Sequence, residues 1–197
     1  MNSRIKSNQV DKKIKGNFYI KKDKSLRLVK FEKKHISKNY LLWLNNKEIK
    51  YSQNRFSKHN YPSAIKYLNK NTIDGNLFFA IESKQNKRYF HIGNILLRID
   101  KNNKRGHLSI LIGKNKGTGV GFMVWKKAIQ IAFKFYNCDA VVAGADSLNK
   151  PMIKIFKKTK MSLIKMPNYF YHKKQKRSDL IASYISKKNF KNVKSFQ

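Results

Sequence analysis

The hydrophobic positions of this chain change period several times, and each change marks an element. Ser25 to Phe31 alternates apolar and polar residues, the period of a half-buried strand. From Ser37 to Asn45 the residues Tyr40, Leu41 and Leu44 fall on one helical stripe, with Ser37 placed to cap it. The pattern lapses between Asn46 and Tyr61; Ser63 then stands where it can cap a short helix carrying Ala64, Ile65 and Leu68. Leu77 to Glu82, His91 to Asp100 and Gly106 to Gly113 read as three strands joined by short polar turns, which favours antiparallel pairing. Val120 to Phe135 places Val124, Ala128, Ile131 and Phe135 at helical spacing and is the strongest helix pattern. Ala140 to Ala145 is a short buried-type strand, so a right-handed parallel crossover is expected across that helix. A short helix from Pro151 to Lys157 follows, then strands near Leu163 to Met166 and Leu180 to Ile185. The sum predicts one mixed α/β (α+β) domain over residues 25–186, with a mostly antiparallel sheet. Residues 1–24 and 187–197 read as basic tails.

Composition changes this picture only at its edges. At 197 residues and 41% apolar content the chain can build one ordinary core. No apolar run of about 18 residues spans a bilayer, and the polar N-terminus lacks a secretory stretch, so a cytoplasmic protein is expected. Cys138 is the single cysteine, between a predicted helix and strand, and reads as buried filler rather than a reactive thiol. The five histidines are scattered without metal-ligand spacing, so no metal site is expected.

Charge speaks to partners. Forty-five basic residues against ten acidic ones give a formal +35, a field that attracts polyanions non-specifically. One function this admits is a non-catalytic basic nucleic-acid-binding module. The lysines are spread over helices, turns and tails instead of clustering with interleaved aromatics, which counts against it.

The chemistry is concentrated in one loop, Lys116-Gly117-Thr118-Gly119-Val120-Gly121, between a strand and the long helix. Glycines there permit positive φ and close approach of a ligand. The helix start supplies free N–H groups and the positive end of a dipole, and Lys114 and Lys116 add cations: a phosphate cradle. A nucleotide-triphosphate loop needs Gly-Lys-Ser/Thr, but Phe122 follows Gly121. A dinucleotide fingerprint is G-x-G-x-x-G early in a parallel sheet, and this is G-x-G-x-G after several antiparallel strands.

The loop resembles motif A of the GNAT N-acetyltransferases, Arg/Gln-x-x-Gly-x-Gly, with Lys116 at the basic position and Gly119 and Gly121 as the glycines. A second block, Asn149 to Met161, resembles that family's Asn-x-x-x-x-x-x-Tyr/Phe-x-x-x-Gly-Met/Phe pattern, with Lys160 where a glycine is common. The resemblance implies the GNAT fold, a central twisted sheet of about seven strands with helices on both faces and one parallel crossover at strands four and five. It also implies acetyl-CoA as co-substrate, bound through Leu111, Ile112, Lys114, Lys116, Gly117, Thr118, Gly119, Val120, Gly121, Asn149 and Phe156. A backbone N–H near Leu111 would polarise the thioester carbonyl. Asn149 would lie by the pantetheine arm, and Phe156 on the coenzyme face, where many relatives carry a tyrosine acid.

His107, where relatives often carry an acid, is the candidate general base, since an ordinary histidine titrates near 6.5. Arg55 and His59, in the loop after the first helix, are candidates for binding the acceptor. The wider pattern resembles family members that acetylate amino sugars in surface-polysaccharide or flagellar-sugar synthesis, so the expected acceptor is a small-molecule amine, a nucleotide-linked sugar. The ribosomal-protein N-terminal acetyltransferases share much of the pattern and are the alternative. A monomer or homodimer is expected.

Overall fold

A computed structural model describes residues 17–46, 57–172 and 176–191. The chain begins with β1 (Phe18–Tyr19) and β2 (Leu26–Lys30), a 3-10 turn at Lys33–His35, then α1 (Lys38–Asn45) and α2 (Tyr61–Ile73). A meander follows: β3 (Leu77–Gln85), β4 (Arg88–Asp100) and β5 (Arg105–Ile112). Next come α3 (Val120–Phe135), β6 (Ala140–Asp146), α4 (Lys150–Lys158), β7 (Ser162–Tyr171), β8 (Arg177–Ser186) and α5 (Lys187–Lys191). The strands form one sheet in the order β1-β2-β3-β4-β5-β6-β8-β7, in which β5–β6 is the parallel pair and the other pairings are antiparallel.

Local chemistry fixes these elements. Ser37 accepts the Tyr40 N–H at 3.2 Å and caps α1 as its position implies. At α2 the cap is Asn60, whose side chain takes the Ser63 N–H while Ser63 Oγ takes the Asn60 N–H, both at 3.0 Å. Ser63 is therefore the third helical residue and the inner member of a reciprocal capping pair, and the helix starts one turn before the expected cap. The β3–β4 hairpin turns on Asn86 and Lys87, with φ of 46° and 65°, the doubly positive geometry that matches the strand twist.

Each sheet face has its own core. On one face α3 buries Val124, Trp125, Ala128, Ile129 and Ile131 against Ile95, Leu97, Leu108 and Val141. On the other, α1 and α2 cover Phe31, Tyr40, Leu68, Phe78 and Leu96, with Phe31 stacked on Phe78 at 4.2 Å. Phe18 meets Phe79 edge-on at 5.8 Å, so β1 joins the sheet from within the expected N-terminal tail and adds an eighth strand. Phe190 likewise packs on Phe133 at 5.3 Å beyond the expected end of the domain. Cys138 is buried, and burial pushes its thiol up to about 11, so it stays an inert filler at neutral pH. Among the described residues no helix is long and apolar enough to cross a membrane.

Candidate active site

The parallel pairing of β5 with β6 lasts only for Arg105↔Ala140, Gly106↔Val141 and His107↔Val142. Beyond that row β5 continues to Ile112 and β6 to Asp146 without pairing, which leaves a cleft between them. Gly113 donates its N–H to the Ile92 carbonyl at 2.8 Å. Antiparallel alternation from that bond turns the Leu111 N–H toward β4 and sends those of Ile110 and Ile112 into the cleft. The donor expected near Leu111 is thus Ile110 or Ile112. Such free main-chain groups need a partner, from water or a ligand.

At the mouth of the cleft the loop turns into α3. Gly117 and Gly119 adopt φ of 81° and 84°, and nothing stands within 4 Å of where a Cβ would project from either. Gly119 is the N-cap of α3, so the N–H groups of the first turn point out unpaired. Thr118 braces the loop by donating its hydroxyl to the Asn115 carbonyl at 2.7 Å. At Gly121 a Cβ would come 3.1 Å from Ile155 Cδ1, so glycine lets α3 lie close to α4. Lys114 and Lys116 are exposed beside the loop. The arrangement is an open, positively charged backbone cradle at the end of an apolar cleft, which fits a pyrophosphate with a chain attached.

The model of an acetyltransferase (GNAT) domain matches residues 25–162, more than half of the chain. The chain belongs to the GNAT acetyltransferase family. Similar solved structures include spermidine N-acetyltransferase from Vibrio cholerae in complex with CoA and spermine. It is 17% identical with a TM-score of 0.74, covering 85% of this chain and 99% of that one. RimL, a ribosomal L7/L12 alpha-N-protein acetyltransferase in complex with coenzyme A, is 13% identical with a TM-score of 0.73, covering 87% and 98%. No curated protein matches the sequence. The structural likenesses establish the fold; the family match makes the protein an N-acetyltransferase that uses acetyl-CoA as co-substrate.

The second GNAT block forms α4 and its flanks. Asn149 is the N-cap, its Oδ1 accepting the Met152 N–H at 3.2 Å, which leaves the Nδ2 donors for another acceptor. Lys160 has a φ of 53°, the left-handed conformation that explains why relatives favour glycine there. Phe156 does not lie where expected. It is fully buried and packs on Trp125 at 5.7 Å, so it is a core residue that no ligand reaches. Val120 is also largely buried, so its part in the cradle is confined to its backbone.

His107 stands at the last paired row of the fork, exposed on the α1/α2 face of the sheet. His59 is half-buried; its backbone N–H and carbonyl bond the Asn45 side chain at 2.8 and 2.7 Å, pinning that loop to the end of α1. Arg55 lies outside the described residues. Two groups escaped the sequence reading. Trp43 of α1 lies on Gly113, where a Cβ would come 2.0 Å from the indole. Asp146 of β6, Ser178 of β8 and His172, just past the end of β7, meet: His172 Nε2 is 2.6 Å from Ser178 Oγ and 3.0 Å from Asp146 Oδ2. Asp146 stands three residues before Asn149, the one signal that could have drawn attention to it.

Behind Trp43 lies a buried chain of ionisable groups. Arg27 holds Glu82 at 2.7 Å, and Glu82 Oε1 is 3.4 Å from His35 Nε2. Burial alone would push the Glu82 carboxyl up, but hydrogen bonds from His35 and Arg27 outweigh it and hold it below the usual range. His91 stands 5.3 Å from His35 and 5.2 Å from Trp43, ring centre to ring centre. Both its nitrogens are buried, and desolvation, then His35, outweigh the weak backbone contacts with Gly93 and His35 and bring it down to about 4.

Proposed function

We propose that this GNAT enzyme acetylates a primary amine carried on an anionic molecule, most simply a nucleotide-linked amino sugar. The observation that carries the coenzyme half is the fork: unpaired N–H groups of Ile110 and Ile112 facing a cleft that ends on the Gly117–Gly121 cradle. In this reading the cradle, with Lys114 and Lys116, takes the pyrophosphate. The β5 edge takes the pantetheine amides, and one of its N–H groups polarises the thioester carbonyl. Asn149 offers its Nδ2 to the arm. Acetyl-CoA supplies the activated acyl group.

The acceptor half rests on charge. A chain with a formal +35 repels a free polyamine and draws in an amine that carries phosphate, so the field favours a nucleotide-linked sugar over spermidine. The same field favours a second reading, the amino terminus of an acidic protein or of one seated on ribosomal RNA. Incubation with acetyl-CoA and a uridine diphosphate-linked amino sugar, an acidic peptide with a free amino terminus, or spermidine tests this, with products read by mass spectrometry. Preferential acetylation of the sugar supports the first reading and of the peptide the second. A preference for spermidine removes both.

His107 keeps its place as a candidate base at the fork. Replacing it should slow turnover while coenzyme binding is retained.

A further inference from the structure

The polar cluster on the far wall of the cleft supplies something that the cradle and His107 do not. Asp146 is 1% exposed, and its Oδ1 accepts the Leu148 N–H at 2.9 Å. Its Oδ2 has no directed hydrogen bond, although His172 Nε2 stands 3.0 Å away; that nitrogen lies closer to Ser178 Oγ, at 2.6 Å. A carboxylate oxygen left bare inside a protein is costly until a donor or a positive charge reaches it. The neighbouring carboxylate makes the contrast: Asp179 is engaged by Lys165 Nζ and the Asn168 N–H, both at 3.0 Å.

Register shows which way the cluster faces. A Cβ on Gly106 would meet Ala132 of α3 and Val141 of β6, so those positions look toward α3. Strand alternation then sends His107, Val142, Gly144 and Asp146 to the opposite, α1/α2 face, and Leu180 and Ser178 with them. Leu111 and Asp146 each lie four residues past the last paired row, His107↔Val142 (107 to 111, 142 to 146). Four residues of strand are about 13 Å, so Asp146 stands level with the free N–H groups of β5, well above His107. Between the fork and Asp146 lies Gly144, exposed and without a side chain to block the way.

We propose that Asp146, with His172 and Ser178, is the seat of the acceptor's ammonium group. The proposal rests on the reading of the fork as the acyl-CoA site. Asp146 Oδ2 pairs with the incoming cation, which in a chain of net +35 needs a local anion to be held at all. His172 Nε2, 3.0 Å from Oδ2 and 2.6 Å from Ser178 Oγ, holds the edge of that carboxylate and sets the width of the seat. Two donor residues fall short of a metal site, which needs three or four.

The experiment compares wild type, Asp146→Asn and His172→Gln, with glucosamine 1-phosphate as the amine and acetyl-CoA as the donor. Asp146→Asn keeps the shape and the Leu148 bond, so it should fold. It should raise KM for the amine at least about tenfold and lower kcat/KM about 100-fold, and His172→Gln, which leaves the carboxylate in place, should raise KM by a smaller factor. Both variants should keep the wild-type thermal shift with coenzyme A. The His172 ring resonance, assignable by its loss in His172→Gln among five histidines, should move when the amine is added to wild type and stay still in Asp146→Asn. Rates within threefold of wild type for both variants overturn the proposal. So does a His172 resonance that the amine leaves unmoved while coenzyme A still stabilises the protein. If coenzyme A fails to stabilise wild type, it is the underlying reading of the fork that has failed.

Discussion

The β5 wall of the cleft and the wall made by β6, β7 and β8 work with different materials. On β5 and the loop after it, the useful groups are backbone: the N–H groups of Ile110 and Ile112, and the cradle opened by Gly117 and Gly119 at φ of 81° and 84°. Across the cleft they are side chains, Asp146 of β6, Ser178 of β8 and His172 from the end of β7. In the proposed reading the backbone wall meets what every acyl-CoA shares, its phosphates and amides, while the side-chain wall, which can be changed one residue at a time, meets the amine.

The comparison can be broken most severely at Gly119. Gly119→Glu puts a side chain at positive φ and a negative charge into the cradle; it should abolish the thermal stabilisation by coenzyme A seen with wild type. Retained stabilisation would remove the loop from the coenzyme site. His107→Ala should lower kcat by about 10²–10⁴-fold with that stabilisation intact, and a near-normal rate would remove it from the mechanism.

A smaller effect separates the cleft from the core behind it. His91 is held neutral down to about 4, against an ordinary 6.5 in the unfolded chain. The unfolded state therefore binds the proton first as pH falls. The stability tied to His91 is complete above about 6.5 and is lost progressively toward 4, roughly 3 kcal/mol in all. His91→Phe should flatten that limb of a denaturant-midpoint against pH plot; an unchanged slope between those values would contradict the burial argument. The smallest change is expected at Asn149→Ala, about 1 kcal/mol from the lost α4 cap. Asn149→Asp should restore the cap, so any weakening of coenzyme binding that Asp does not rescue would come from the Nδ2 group.

The backbone wall was the legible one. Alternating strands, a three-glycine loop and a strong helix pattern are local signals, and they located the strand-loop-helix unit and the parallel crossover. Two errors were errors of neighbourhood, and one expectation needed the neighbourhood to become exact. Which N–H near Leu111 faces the cleft depends on the pairing of Gly113 with Ile92. Phe156 sits under Trp125 because α4 turns its apolar side inward against α3. Ser63 yielded the cap to Asn60 because helix α2 starts one turn earlier. The side-chain wall was illegible for a stronger reason: Asp146 and His172 are separated by a helix and a strand, and only the β6-β8-β7 order joins them.

The chain holds two tryptophans, and they differ in a way that an optical measurement can use. Trp125 is 1% exposed under α4, so its emission should be a constant background. Trp43 lies half-buried on Gly113, at the end of the strand that lines the cleft. Its emission should follow events at the cleft mouth without any added dye. Subtracting the spectrum of Trp43→Phe would isolate that signal, giving a continuous titration of coenzyme A before any acceptor is known.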